Sequence, residues 1–167
     1  MRINEVIKKQ QIPMDFVNKI RTLLGTTQFE MPKIESINRT ENGELGGCNW
    51  KPGQKYVTID FDKSVLKDRK TTERVLAHEL CHEAEYLLDY QKELADEKVK
   101  ALKLVKNVET DGPIALAYYR EFLANLVIRM KMLQHGKTWQ KYANKINAIY
   151  GKNFVTKTSD ETYILEK

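Results

Sequence analysis

The segment His78-Glu79-Leu80-Cys81-His82 constrains this chain more than any other feature, because it matches the pattern HExxH. Residues four apart on an α-helix lie on one face, one turn above each other, so two imidazoles can bind one ion. In a chain with three histidines, a chance match has a probability of roughly one in two hundred. The pattern therefore predicts a helix that presents His78 and His82 to Zn²⁺.

The surrounding residues favour a helix. Thr71 or Thr72 is a predicted N-cap, and neither proline nor glycine interrupts the segment up to about Leu88. Glu79 is next to His78 on this helix and close enough to accept a proton from a water on the metal. The pattern predicts a zinc-dependent hydrolase with Glu79 as the catalytic acid/base and a protein or peptide as substrate.

A catalytic zinc site has three protein ligands and one open position. The chain contains one further histidine, His135, which precedes Gly136 at a break between two apolar segments. We predict His135 as the third ligand. Glu121 is the alternative, because some HExxH enzymes take a glutamate from a second helix, and it can also act by orienting a ligand histidine.

Composition limits the remaining possibilities. The chain has 167 residues, of which 41% are hydrophobic and 31% charged, which predicts one soluble domain without a membrane span. Two cysteines are too few for a disulfide scaffold and favour the cytoplasm. The net charge of +5 fits DNA or DNA-bound proteins as partners, and fits equally well a surplus of surface lysine. Composition leaves the oligomeric state open.

The periodicity of the chain predicts an α+β fold. A helix is expected from Met14 to Leu24 with Gly25 as its end. A small antiparallel sheet should follow, with a hairpin turn at Asn42-Gly43. Its three predicted strand segments are 33–40, 45–51 and 56–61.

Helices are predicted for most of the second half. Residues 114–133 are apolar on nearly every side, which predicts a central helix that starts after the break at 111–113. Residues 138–150 are amphipathic, with Trp139 on the apolar face. Trp50, next to a Pro-Gly turn, is predicted to be exposed and is a candidate for stacking on nucleic-acid bases.

Two segments together resemble the SprT-like zinc metalloprotease domain, the family that includes Spartan. They are VLAHELCHEAEY at 75–86 and HGKTWQKYANKINAIYG at 135–151. The resemblance covers about 71–90 and 134–151 well, and the helix and strands of 14–61 loosely. It implies a zincin-like core with HExxH on the active-site helix, one catalytic Zn²⁺, His135 as third ligand, and DNA-associated proteins as substrates.

The chain also departs from the pattern of that family. The distance from His82 to His135 is long, which predicts a single domain with a helical insertion at about 91–133 and keeps Glu121 open as a ligand. The cysteine-rich zinc ribbon that often follows the family's core is absent from this sequence. EFLAN at 121–125 is similar to ImmA/IrrE-like metalloproteases, where a glutamate completes the site.

A different class also remains open. The chain can be a non-catalytic nucleic-acid-binding module with a structural zinc, which would need a fourth ligand. Glu79 argues against this class, because a structural site has no use for a general base.

Overall fold

The computed structural model describes residues 12–38 and 44–157, which form an α+β fold. A 3₁₀ turn, Lys63–Lys67, leads into the second helix, and a π-helical segment, Glu85–Tyr90, joins that helix to the third. Among these residues, no helix is both long and apolar enough to span a bilayer. In chain order the main elements are α1 (Met14–Leu24), β1 (Lys33–Ile37), β2 (Gly46–Asn49), β3 (Thr58–Asp62), α2 (Arg69–Ala84), α3 (Gln91–Lys103), α4 (Val108–Met132) and α5 (Lys137–Tyr150).

The sheet is mixed, with the order β1-β3-β2, so β3 is parallel to β1 and antiparallel to β2. The predicted antiparallel sheet is therefore wrong for one pair of strands. The predicted hairpin between the first two strands is also wrong, and its turn at Asn42-Gly43 lies outside the described residues. Val57, Ile59 and Phe61 are fully buried, and the strand with the most buried face takes the centre of the sheet.

Helix α2 lies at the centre of the molecule and packs against α1, α5 and β2. Every residue from Arg74 to Ala84 is buried. The predicted threonine cap is wrong, because the Asp68 carboxylate accepts a hydrogen bond from the Thr71 amide at 2.8 Å. The Thr72 hydroxyl bonds instead to the Val65 carbonyl at 2.7 Å.

A buried ion pair connects α1 to α2. The Arg21 Nε donates to Glu83 Oε1 at 2.9 Å, and the Thr26 hydroxyl donates to Glu83 Oε2 at 3.2 Å. Burial raises the pKa of Glu83 to about 7, against the lowering effect of Arg21. The start and end of α1 agree with the prediction, and Gly25 ends it with a φ of 84°.

Helices α3 and α4 pack on each other and form the α3–α4 hairpin, which occupies 91–132. The prediction that α4 is central is wrong: of its 25 residues, all of them described, Ala115 and Leu126 are buried. Ile114 is 71% exposed. The helix also begins before the predicted break, because Asn107 caps it by accepting from the Glu109 amide. The insertion at about 91–133 stays a prediction.

The residues after α5 return to α2. The Asn147 side chain accepts from the Val155 amide at 2.8 Å and donates to the Val155 carbonyl at 3.0 Å. The Arg74 guanidinium donates to the carbonyls of Asn153 and Phe154, both at 3.0 Å. These bonds hold residues 153–156 across the middle of α2.

Candidate metal site

Three histidine side chains converge at one point. The Nε2 atom of His135 lies 2.8 Å from Nε2 of His78 and 3.2 Å from Nε2 of His82. Their ligand atoms all lie within 4.8 Å of one another. His78 and His82 are buried on α2, and His135 is half-buried in the turn between α4 and α5. The two histidines of the HExxH segment thus face the same point as the third.

The hydrogen bond made by Nδ1 of His78 determines which of its two ring nitrogens carries the proton. His78 Nδ1 donates a hydrogen bond to the Thr156 carbonyl at 2.8 Å. In the neutral ring the proton is therefore on Nδ1, and Nε2 has a free lone pair directed at the cluster. The segment 153–156, which Asn147 and Arg74 hold in place, thereby orients His78, which lies 78 positions before Thr156.

The turn that carries His135 has an uncommon backbone. His135 has a φ of 61°, in the left-handed region that few residues other than glycine adopt. The Gly136 amide donates to the Leu133 carbonyl at 2.9 Å, and a Cβ on Gly136 would lie 2.9 Å from that oxygen. The glycine therefore permits the tight turn that directs His135 back toward α2.

The surroundings favour the neutral form of the His78 and His135 imidazoles. Burial, followed by the neighbouring histidines, lowers the pKa of His78 well below its usual value. Burial also lowers the pKa of His135 to about 4. Trp139 is fully buried and packs against all three rings, with centroid distances of 4.9, 5.8 and 4.7 Å to His78, His82 and His135. His78 and His135 can thus bind a cation without first losing protons.

The residues fit a zinc ion. In a tetrahedral site with Zn–N distances of about 2.0–2.1 Å, the ligand nitrogens lie about 3.3 Å apart. The Nε2–Nε2 separations of 2.8 and 3.2 Å are close to that spacing. Neutral imidazole nitrogens are donors that zinc prefers. Three such donors from two different parts of the chain leave a coordination position open.

Glu79 lies beneath strand β2. It is 3% exposed, and a Cβ added to Gly46 would lie 2.7 Å from its Oε1 atom and 2.9 Å from Val75 Cγ1. Real Cβ contacts this short essentially do not occur, so a side chain at position 46 would displace the carboxylate or the strand. The bare backbone of Gly46 therefore allows β2 to pack directly on the carboxylate.

A model of the SprT-like family matches residues 4–101, which is more than half of the chain. The chain belongs to the SprT-like family. Members of this family are in general metalloprotease-like domains. No curated protein and no solved structure shows significant similarity to the chain. The matched range includes His78, Glu79 and His82, whereas His135 lies beyond it.

Two other predicted residues lie elsewhere. Glu121 of this SprT-like chain is exposed on α4 and is not part of the three-histidine cluster. Trp50 is 7% exposed, so the prediction of an exposed stacking residue is wrong. Its Nε1 donates to the Gln54 carbonyl, and its ring stacks on Tyr86 at 5.8 Å. The Pro-Gly turn next to Trp50 folds back to provide that acceptor.

Sequence reasoning missed three contributors to the site. The Thr156 carbonyl has no side-chain signal, and only the returning tail places it at His78. Gly46 had a weak signal in the Gly-Gly pair inside a strand, which indicates a close approach of the backbone. Glu85 lies three residues after His82, at the spacing of one helical turn, with Oε2 3.6 Å from His82 Nδ1.

Proposed function

We propose that the chain is a zinc-dependent metallopeptidase with His78, His82 and His135 as ligands and Glu79 as general base. The convergence of three Nε2 atoms on one point, one helical step from a buried carboxylate, carries this proposal. Membership of the SprT-like family supports the same class of activity and a zincin-like arrangement of α2.

His78, His82 and His135 would hold the zinc ion, which would supply a Lewis acid for the scissile carbonyl and lower the pKa of a water from 15.7 to about 7. Glu79 accepts the proton of the attacking water as its oxygen forms the bond to the carbonyl carbon. When the C–N bond breaks, Glu79 returns that proton to the leaving amine nitrogen. Its burial under Gly46 limits the movement of the carboxylate, which supports a fixed position for the general base.

Strand β2 is the expected substrate-binding element. It lies at the edge of the described sheet, packs on α2, and passes directly over Glu79 at Gly46. An extended peptide that pairs with a sheet edge gains main-chain hydrogen bonds without requiring a particular side-chain sequence. This edge would bring a peptide bond alongside the carboxylate and the histidines.

DNA-associated proteins are the proposed substrate class. The family resemblance implies them. The excess of 28 lysines and arginines over 23 acidic residues also favours a polyanionic partner such as DNA. The buried Trp50 cannot stack on bases, so contact with DNA would depend on surface lysines. Binding would then weaken steeply with added salt.

The decisive experiment compares wild type with Glu79→Gln. We measure zinc content and cleavage of casein and histones, with and without DNA. We expect both proteins to bind one zinc ion and the variant to lose at least about 100-fold in cleavage rate. If wild type binds zinc and cleaves none of these substrates, the chain is better described as a non-catalytic zinc-containing module.

The third ligand is tested by His135→Ala and Glu121→Ala, two truncations on neighbouring parts of the chain. We expect His135→Ala to remove most of the zinc, because it takes away one of three converging nitrogens. Glu121→Ala serves as the matched control and should retain zinc, because Glu121 is exposed. The reverse result would support a glutamate-type site, as in the ImmA/IrrE-like enzymes.

A further inference from the structure

The Nδ1 atom of His82 has no hydrogen-bond partner among the described residues, although it is buried. The equivalent nitrogen of His78 bonds to the Thr156 carbonyl. The two ligands of one helix therefore differ in how their rings are supported. A buried polar atom without a partner costs free energy. A group that accepts a hydrogen bond from this nitrogen would remove that cost when the site holds a metal.

The carboxylate of Glu85 lies close to this nitrogen. Its Oε2 atom lies 3.6 Å from His82 Nδ1, which is longer than a hydrogen bond. Glu85 is 3% exposed, so its carboxylate is largely removed from water and needs donors within the protein. A closer approach by about 0.7 Å gives a normal N–H···O bond of about 2.9 Å.

The π-helical segment positions this carboxylate. Glu85 is its first residue, and Tyr90 is its last. A π-helical turn connects residues five apart, which brings the Tyr90 hydroxyl to 3.5 Å from Glu85 Oε1. One carboxylate oxygen therefore faces Tyr90 and the other faces His82, so that the carboxylate lies between the two.

We propose that Glu85 accepts the Nδ1 proton of His82 and so positions His82 as a metal ligand. This inference rests on the proposed zinc site, but not on peptidase activity. When Nε2 of a neutral imidazole serves as ligand, the proton must be on Nδ1, and a carboxylate acceptor fixes the ring and raises its basicity. Glu85 is a positioning residue, because it acts through His82.

His82 has few other means of fixing its ring. Tyr86 stacks on one face at a centroid distance of 5.8 Å and an interplanar angle of 23°, which restricts tilting of the ring. Stacking leaves rotation about the ring normal less well defined than a directional hydrogen bond does. Glu85 adds that direction, as the Thr156 carbonyl does for His78.

The test measures zinc affinity of the full chain by competition with a chromophoric chelator. Loss of an outer partner of a metal ligand typically weakens metal binding 10–100-fold. We expect such a loss for Glu85→Ala and a smaller one for Glu85→Gln, because glutamine keeps an acceptor oxygen. Thermal unfolding of each zinc-free variant shows whether it is folded under the conditions of the titration.

Glu83→Gln is the matched control. Glu83 is two residues earlier, near the end of α2, and is also buried, but it bonds to Arg21 rather than facing a histidine. Both substitutions remove a buried carboxylate and lower stability. We expect Glu83→Gln to keep zinc affinity within about threefold of wild type, which separates positioning of His82 from general destabilisation.

A second measurement does not depend on the truncated variant. In the zinc-loaded wild type, a buried and hydrogen-bonded Nδ1 proton of His82 should exchange slowly with solvent in nitrogen-15 NMR spectra. Faster exchange in Glu85→Gln, together with weaker zinc binding, supports the inference. Unchanged zinc affinity in both Glu85 variants overturns it while leaving the peptidase proposal in place. A zinc-binding wild type without cleavage overturns only the peptidase proposal.

Discussion

Helices α2 and α4 have opposite relations to the rest of the molecule. Helix α2 is rich in charged residues and histidines, yet it is buried from Arg74 to Ala84. Helix α4 contains many apolar residues, yet Ile114, Ile128 and Met132 are 71%, 52% and 77% exposed. The buried helix carries the candidate chemistry, and the exposed one packs chiefly on α3.

The difference shows that a helix is buried by its neighbours and not by its composition alone. Two of the buried polar groups of α2 have partners from other parts of the chain: Arg21 bonds to Glu83, and the Thr156 carbonyl accepts from His78. Burial of charge is tolerated when each group has such a partner. Where the neighbouring surface is only another solvated helix, apolar side chains remain exposed.

The largest expected effect is the difference in free energy of unfolding lost when a side chain is truncated in α2 and in α4. Leu76→Ala on α2 removes a fully buried side chain and should lower the free energy of unfolding by about 2–5 kcal/mol. Ile128→Ala on α4 is the matched control and should change it by less than about 0.5 kcal/mol. Urea denaturation of both variants measures the contrast, and equal losses would show that α4 is covered in solution.

A smaller effect is expected where β2 meets α2. Gly46→Ala places a methyl group 2.7 Å from Glu79 Oε1 and should lower stability by about 1–3 kcal/mol. Cleavage should fall at least about tenfold with zinc retained, since the general base is displaced. Gly112→Ala on α4 is the control, because a Cβ there has no atom within 4 Å. Wild-type cleavage by Gly46→Ala would show that β2 can shift without moving the carboxylate.

Lowering the pH should destabilise the zinc-free protein through protonation of His135. The pKa of His135 falls from 6.5 to about 4 on folding, so the unfolded chain binds more protons between these values. The contribution of His135 to the stability of the zinc-free protein is fully present above pH 6.5 and is lost as the pH falls toward 4. Burial raises the pKa of Glu83 to about 7, which acts in the opposite direction between pH 4.5 and 7.

Comparing wild type with His135→Asn cancels the contribution of Glu83, which is present in both proteins, and leaves that of His135 together with its effect on His78. The difference in unfolding free energy between them should shift against wild type as the pH falls from 6.5 to 4. A difference that does not change with pH would mean that His135 titrates as it does in the unfolded chain.

The smallest effect is expected inside the α3–α4 hairpin. Tyr118→Phe removes the hydrogen bond from the Tyr118 hydroxyl to Glu97 Oε2 at 3.1 Å. Both groups can bond to water instead, so stability should change by less than about 0.5 kcal/mol. Zinc content should stay the same. A larger loss in urea denaturation would mean that the hairpin is more tightly coupled to the core than its exposure indicates.

Local rules predicted the parts of the molecule that depend on neighbours in sequence. The 3.6-residue period and Gly25 were enough for α1, and the spacing of His78 and His82 was enough for their shared face. The break at His135-Gly136 correctly marked a turn between two helices. The α+β class and the position of the three strand segments followed in the same way.

Features that depend on distant pairing were not predictable in this way. Strand order needs the relative burial of three strands, which periodicity within each strand does not contain. The exposure of α4 depends on what packs against it, and the orientation of His78 depends on a main-chain carbonyl. The π-helical segment changes the spacing after His82, so Glu85 and Tyr90 meet at a separation that an α-helical pattern does not predict.

The bond from His78 to the Thr156 carbonyl has a consequence for biosynthesis. Chains are made from the amino end, so α2 leaves the ribosome long before the last site-forming residues do. During that interval the nascent polypeptide has two of the three imidazoles and lacks the acceptor that orients one of them. The three-histidine site can therefore be completed only after residues 135–156 have been synthesised and have folded back onto α2.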